Sequence, residues 1–532
     1  MALRVNFNFE AAASHTAIVQ NEREMNKSLL RLSTGLRILN AADDSAGLFI
    51  ADQLMVVGSG LEEGNRNIQT ALSALRIAES SAGQIYDRLN EIYKRTVRAA
   101  NDINDPNARA SLQREIDNFV DAIKKIGTDT EYNGIKLLDG TFSGKAIHYG
   151  ARKDQILNVG IDSLLPNDIG AYMASGQGSI YKITRGTNVG DFATQLTATS
   201  NQDFMVETGE YVDIAGIRVL AYDGYRRFVD AATLANNINS NQALQALGIE
   251  AVAKNDNKAD QTYTGFANFW SPAGQTDTVS SVTLNFYIGN AIASGSPNFS
   301  VGIDSNITTV QQLADAINTQ ASAAGAPISA KVVDNKLVLE TAHGETIAVQ
   351  AVVNATIASN GVNINLGQIL QGAGTVSVTA AANTNIYYID VGTVDIAGIS
   401  TYKLQYNGVS SLSAGFNFNV ANNNNAIFKN LYSVSVLTNQ QAEQSMLIAK
   451  KALQRVDTVR AQIGAVMNNL QSIYDSQKVA WDNTKEAENV IRNTDYAQEM
   501  TNFTKLQIKM QSSMAMLAQA NQLPQLVLQL LR

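Results

Sequence analysis

Three histidines, no cysteine and scattered carboxylates are all that this 532-residue chain offers for covalent or metal chemistry. Without cysteine there are no disulfides, no thiolate metal sites and no cysteine nucleophile. His15, His148 and His343 lie far apart, never in a metal-ligand spacing, and read as surface or hydrogen-bonded histidines. His343 opens HGETI, which lacks the second histidine of an HExxH zinc site. No GxSxG elbow and no P-loop occurs. Paired carboxylates could serve a glycosidase, but the acidic residues between Ser179 and Asn430 are scarce and scattered. A net charge of −8 gives no basic field for nucleic acid or an anionic membrane. The sequence therefore reads as a non-enzyme without metal or cofactor, and the chemistry it is rich in is that of helix association.

That chemistry is concentrated in Glu488–Arg532. Tyr496, Met500, Phe503, Leu506 and Met510 recur at helical spacing, and from Gln511 to Leu531 no residue is charged. Such an end is poorly solvated alone. A membrane span is a poor explanation, because Gln511, Gln519, Asn521, Gln522, Gln525 and Gln529 interrupt the run and Pro524 sits within it. Met514, Leu517, Leu526 and Leu530 extend the apolar set toward the end. Ile18, Met25, Leu32 and Leu39 at the other end of the chain are seven apart, with Leu29 and Leu36 four residues after Met25 and Leu32. This predicts an a/d seam of about three heptads. The two ends are plausible mutual partners.

Two heptad rods lie between them. In the first, Leu61, Ile68, Leu75, Ala82, Leu89 and Thr96 make one row, with Gly64, Ala71, Ala78, Ile85, Ile92 and Ala99 three residues behind. Asp43 or Asp44 is suited to cap it, and Asn101–Asn107 ends it. A shorter helix is predicted from Pro106 to Ile126, with Leu112, Ile116, Phe119, Ile123 and Ile126 on one face. In the second rod Val456, Ile463 and Leu470 form one row and Val459, Val466 and Ile473 the other. The small residues in the first seam predict close approach of another helix.

Asn-Gly and Asp-Gly steps from Tyr132 to Ile161 predict hairpins. Between Ser179 and Asn430 charge thins, Val, Ile, Thr, Asn and Gly dominate, and Thr346–Ile389 carries no charge at all, which predicts β-rich domains. VDIAGI occurs at Val212–Ile217 and Val394–Ile399, and TLANNIN (Thr233–Asn239) resembles QLADAIN (Gln312–Asn318). These weak repeats predict consecutive modules, one ending near Gln275 and one beginning near Val279. The fold class expected is an α+β multidomain chain, with elongated antiparallel coiled-coil rods built from both chain ends and β-rich outer domains inserted between them. The expected spans are 1–44 with 495–532, 45–178 with 431–494, 179–275, and 276–430.

Ser33–Leu54 (STGLRILNAADDSAGLFIADQL), Thr130–Gly140 (TEYNGIKLLDG) and Asn493–Arg532 resemble signatures of bacterial flagellin, across about the first 160 and last 100 residues. The resemblance implies a structural subunit that self-assembles through its terminal helices into the extracellular filament used for swimming. It implies a homopolymer, with cap and hook-junction proteins, the flagellar export apparatus and a flagellin chaperone as further partners. The amino terminus has no basic region followed by an apolar run, which fits that export route. The hairpins resemble the family segment implicated in filament supercoiling. One stretch departs. Flagellins recognised by the vertebrate Toll-like flagellin receptor resemble LQRVRELAVQSAN, whereas Leu89–Asn101 reads LNEIYKRTVRAAN, with Glu91 at an Arg position and Arg95 at a Leu position. Glu115 keeps a third contact position, so the resemblance implies weak or absent receptor activation. The rivals are a hook–filament junction protein, which the ending LAQANQLPQLVLQLLR disfavours, and a flagellin whose insertion is adhesive or enzymatic. Ser- and Thr-rich stretches such as Gly408–Gly415 and the triplets Asn298–Ser300 and Asn306–Thr308 read mainly as strand and turn residues.

Overall fold

The computed structural model describes residues 8–101, 103–185, 205–206, 209–222, 227–272, 278–289, 296–356, 361–378, 384–407, 416–419 and 425–530. Its principal helices are α1 (Phe9–Thr34), α2 (Ser45–Ala99), α3 (Pro106–Asp129), α4 (Ala231–Ser240), α5 (Val310–Ala324), α6 (Asn439–Arg492) and α7 (Tyr496–Leu530). The chain divides into two compact units: Met1–Ser80 with Glu131–Asp162 and Ala461–Arg532, and Ser81–Thr130 with Ser163–Arg460. These do not follow the four expected spans. The rods are single helices of 55 and 54 residues, so a cut that follows contacts falls inside them rather than at their ends.

In the first unit α1 and α7 run antiparallel. Asn8 caps α1 through its Oδ1 and donates from Nδ2 to Ala520 O at 2.9 Å, while Asn21 Nδ2 meets Ser513 Oγ at 3.2 Å. At the other end of the pair the two connectors bond to each other. Gly35, at φ 73°, accepts from Thr494 N, and Arg37 N donates to Arg492 O, both at 2.8 Å. The Arg37 guanidinium adds Nη2 to Ile491 O at 2.7 Å, satisfying a carbonyl at the end of α6. Of the two aspartates suited to capping, Asp44 does it, accepting from Gly47 N at 2.9 Å. Asp43 instead accepts from Leu39 N and Asn40 N and pairs with Lys27. The predicted hairpins form, Glu131–Tyr132 with Ile135–Lys136 and Lys145–His148 with Ile156–Val159. Asn133 and Gly134, both at positive φ (50° and 75°), make the first turn. Gly64 corrects one expectation. A Cβ there would sit 2.2 Å from Tyr149 O, so what approaches closely is the backbone of the second hairpin rather than a helix.

In the second unit α3 runs three residues beyond the predicted Ile126, capped by Asp105, and Gln113 bridges Val434 O and Val436 N. The insertion folds into antiparallel sheets. In the largest, 328–333, 336–341, 250–258, 393–398, 170–176 and 418–419 lie side by side, with 427–430 also on 170–176. A second runs 299–303, 278–288, 347–356, 384–391, 179–185. Two apolar cores result. One is drawn from Ala259 to Tyr388; the other combines Ala174 to Ala251 with residues from Tyr387 to Ala426. The inner module is thus nested in the outer one rather than following it, and the boundary expected at 275/276 is crossed by shared sheets. Both VDIAGI copies sit in the outer core, through Val212, Ile214, Val394 and Ile396. The helix repeat does mark two modules. Asn239 clamps Ala251, donating to its O at 2.7 Å and accepting from its N at 2.9 Å. Asn318 does the same to Ala330, both bonds at 2.7 Å. An Asn on the helix thereby fixes the strand twelve residues on in each module.

Asp390 is buried where the two cores meet. Its Oδ2 accepts from Asn257 Nδ2 at 2.8 Å, and its carbonyl accepts from Asn255 Nδ2 at 3.0 Å. Burial pushes its carboxyl up to about 7, the Asn257 amide opposes this, and Asp256 adds to it. With the folded value above the ordinary 3.8, its stabilising share is full below that value and is lost as pH rises through about 7. Asp390→Asn, which keeps an acceptor for Asn257, should raise the melting temperature on the order of 5 °C at about pH 8. The gain should vanish near pH 4; thermal melts at both pH values check this.

Candidate functional site

The described residues hold no group of three or more His, Asp or Glu placed to bind a metal ion, and no helix among them is long and apolar enough to cross a membrane. All three histidines are exposed; His343 Nδ1 lies 3.3 Å from Glu345 Oε1. What the chain does assemble is the α1–α7 pair.

The side of α1 turned to α7 carries Ala11, Ser14, Ile18, Asn21, Met25, Ser28 and Leu32, alternating three and four apart and all at least half-buried. On α7 the matching row is Glu499, Phe503, Leu506, Met510, Ser513, Leu517 and Ala520. Ile18, Met25, Leu32, Phe503, Met510 and Leu517 lie in these rows. The second row of α1 does not. It follows three residues after the first and is small or polar, so Leu29 points outward at 53% exposure. Leu36 and Leu39 lie beyond the helix, half-buried in the connector, where Leu36 bridges Asn493. Tyr496, Met500 and Met514 are also outside the seam and exposed. Leu526 and Leu530 are on α7 by backbone, and their side chains lie outside the described residues.

The pair thus covers one side of each helix and leaves large apolar residues exposed elsewhere, among charged and polar side chains such as Glu22, Arg23 and Lys27 on α1 and Lys505, Lys509 and Gln511 on α7. Phe9, Leu29 and Leu30 on α1, and Met500, Ile508, Met514 and Met516 on α7, are all at least half-exposed. Met500, Thr501, Thr504 and Ile508, with Lys505 and Lys509, form an exposed strip along α7. Large apolar side chains left in water in this way gain free energy when a neighbour covers them. The start of α2 adds Phe49, Ile50, Val56 and Val57, two exposed pairs seven residues apart.

Leu61, Ile68, Leu75, Ile85, Leu89, Ile92, Val456, Val459, Ile463 and Leu470 are buried, with Val466 and Ile473 half-buried. On the outer surface of α2 and α3 the two altered positions and the retained Glu115 come together. Arg95 Nη1 meets Glu91 Oε2 at 2.7 Å, its Nε meets Glu115 Oε2 at 2.8 Å, and its guanidinium lies 5.7 Å from the centre of the Phe119 ring. The Glu115 hydrogen bond, followed by the charges of Glu115 and Glu91, raises the Arg95 pKa above its ordinary value.

A model of the bacterial flagellin N-terminal helical region matches residues 5–143, and one of the C-terminal helical region matches 446–531. A flagellin of Aquifex aeolicus is 47% identical over 543 aligned residues, and one of Aquifex pyrophilus 46% over 536, each alignment covering 100% of both chains. A solved structure of FliC from Burkholderia pseudomallei, 15% identical, overlays 75% of this chain and 99% of its own at a TM-score of 0.28, too loose a fit to bear on the fold.

Buried seam and exposed face should respond differently to truncation. Leu89→Ala, at a fully buried position, should cost about 2–5 kcal/mol of unfolding free energy. Met514→Ala should change it by less than about 0.5 kcal/mol. Denaturant titration of the single chain distinguishes the two.

Proposed function

The chain belongs to the bacterial flagellin family and is a structural subunit of the flagellar filament, and we propose that its antiparallel terminal helix pair is the surface through which copies polymerise. The observation that carries this reading is the uncovered apolar side of α7, Met500, Ile508, Met514 and Met516, on a helix whose own partner reaches only the opposite row. The occupant is a second copy of the same pair. Its exposed residues are of the same kind, and a filament subunit meets its own copies at every contact. Burying such residues supplies about 1.5–3 kcal/mol for each large side chain taken out of water. In the same reading cap and hook-junction proteins are the partners at the filament's two ends, and the export apparatus and a flagellin chaperone handle the chain before assembly. The working location is the extracellular filament, and the insertion contributes no enzymatic activity.

Full-length chain should elongate filament seeds in negative-stain microscopy, and chain truncated from Asn493 should not. Ile508→Glu should leave the single chain folded and stop elongation, because an unpaired charge would be buried at each contact. Growth by the truncated chain would overturn the role given to the ends.

The Glu91–Arg95–Glu115 cluster supports a second consequence. Its cation is already shared between two carboxylates and offers no apolar anchor to a receptor. Weak or absent activation of the vertebrate Toll-like flagellin receptor is expected in a cell reporter assay, and a full response at ordinary flagellin concentrations would count against it.

A further inference from the structure

A helix with methionines on several sides raises a question that burial alone does not answer, namely which of its sides it gives to its own chain. Phe503, Met510 and Leu517 offer α1 one row; Met500 and Met514, in a row with Gln507, flank it on one side, and Met516 on the other. Hydrophobic contact is non-directional and discriminates poorly between such rows. The discriminating contacts in the pair are polar. Asn8 reaches Ala520 O at 2.9 Å, Arg31 approaches buried Glu499 at 4.0 Å, and Asn21 meets Ser513 at 3.2 Å in the middle of the seam. Only the Asn21 contact lies well inside the pair, away from both the cap and the connectors.

We infer that Asn21, through Ser513, is a specificity-determining residue that selects the face of α7 committed to its own α1 and so keeps the Met500–Met514 side free for other copies. A side-chain amide in a helical seam costs stability relative to leucine and repays it in specificity, because the wrong arrangement leaves the amide without a partner. Turning α7 to present its Met514 row would set Asn21 against apolar side chains. The seam around Asn21 is compatible with this trade. Its neighbours one heptad away are Ser14 and Ser28, and Ser28 Oγ is buried with no hydrogen-bond partner among the described residues. The row gives up apolar contact at each step, and at Asn21 it gains a directed bond. The inference deepens the assembly reading above and rests on it.

The absence of native cysteine makes the test direct. Counting in heptads from the Asn21–Ser513 contact sets Met25 level with Met510. The pair Met25→Cys with Met510→Cys reports the seam face, and Met25→Cys with Gln507→Cys, which lies on the Met500–Met514 row near the same level, reports the alternative face. Filaments grown from mixed heavy- and light-isotope chains allow the disulfides closed within one chain to be counted by mass spectrometry. The seam pair should close at least about fivefold more often, the worth of one net hydrogen bond. Asn21→Leu, a substitution that favours helix, should bring the two yields near parity, and Asn21→Ser with Ser513→Asn should restore the preference. An undiminished preference in Asn21→Leu overturns the inference while leaving the assembly reading standing. Equal yields in the parent overturn it by removing the pairing itself. Failure of the parent to grow from seeds at all would instead remove the assembly reading, and the inference with it.

Discussion

One constraint governs the molecule: α7 is apolar on more sides than a single neighbour can cover. A helix with a charged face can rest on a surface and stay soluble. Beyond Lys509 α7 has no charged face, since Gln511 to Leu531 contains no charge, and Met514 and Met516 stand exposed among Gln511, Ser512, Gln519 and Asn521. Its own partner, α1, covers one row and is itself left with Phe9, Leu29 and Leu30 exposed. The pair is complete as a hydrogen-bonded object and incomplete as a hydrophobic one. For a subunit of a polymer this is the useful state, because the free energy still to be gained by burial is available only on joining other copies.

The rest of the first unit holds that pair in place without burying it. Backbone bonds between Gly35 and Thr494 and between Arg37 and Arg492 tie the two connectors where α1 ends and α7 begins. Arg37 also supplies the carbonyl partner that the last turn of α6 lacks. These bonds are directional, so they set where the helices leave the rods, while the seam itself remains modest in apolar content. Polar contacts specify the arrangement and apolar contacts supply most of its stability. In α1 the two functions sit on alternate rows of one face.

How much of this was legible in the sequence depends on range. The rod seams were read residue by residue, because each row is apolar and a heptad keeps one face inward over its whole length. The second row of α1 was misread because Leu29 and Leu36 are the apolar residues nearby, whereas the buried row is Ser14, Asn21 and Ser28. An apolar pattern cannot announce a polar seam. The exposed leucine was still informative, since it marks a side left for others. Hairpins were legible from Asn-Gly steps, which are local. The nesting of one β module in the other was not, because strands at 250–258 and 393–398 pair across some 140 residues and no composition shift records it. VDIAGI misled for a related reason: two similar strands can serve one core as readily as two. The Asn239 and Asn318 clamps succeeded as a repeat signal because helix, amide and strand lie within twelve residues of each other.

The attachment of the insertion to α6 uses a different balance of forces from the seams. Glu250, on the strand at 250–258, receives Lys450 at 2.6 Å and Lys451 at 3.1 Å, and Lys451 is only 2% exposed. Lys254 reaches Glu443 at 3.2 Å, and Gln444 donates to Asp395 at 3.3 Å. Burial lowers the Lys451 pKa and the Glu250 charge opposes that, so the cation is held by a partner that α6 does not itself supply. A buried ion pair of this kind contributes little net stability compared with apolar packing, but removing one partner is costly. Its effect is therefore on orientation. Glu250, Lys254 and Asp395 on the sheet each meet matching groups on the helix, about one or two turns apart, and a sheet rotated on α6 would take the carboxylate away from a buried ammonium. An apolar seat would have permitted that rotation, as it would on α7. In both places the chain relies on a polar group among apolar ones to decide which of several similar packings is the native one.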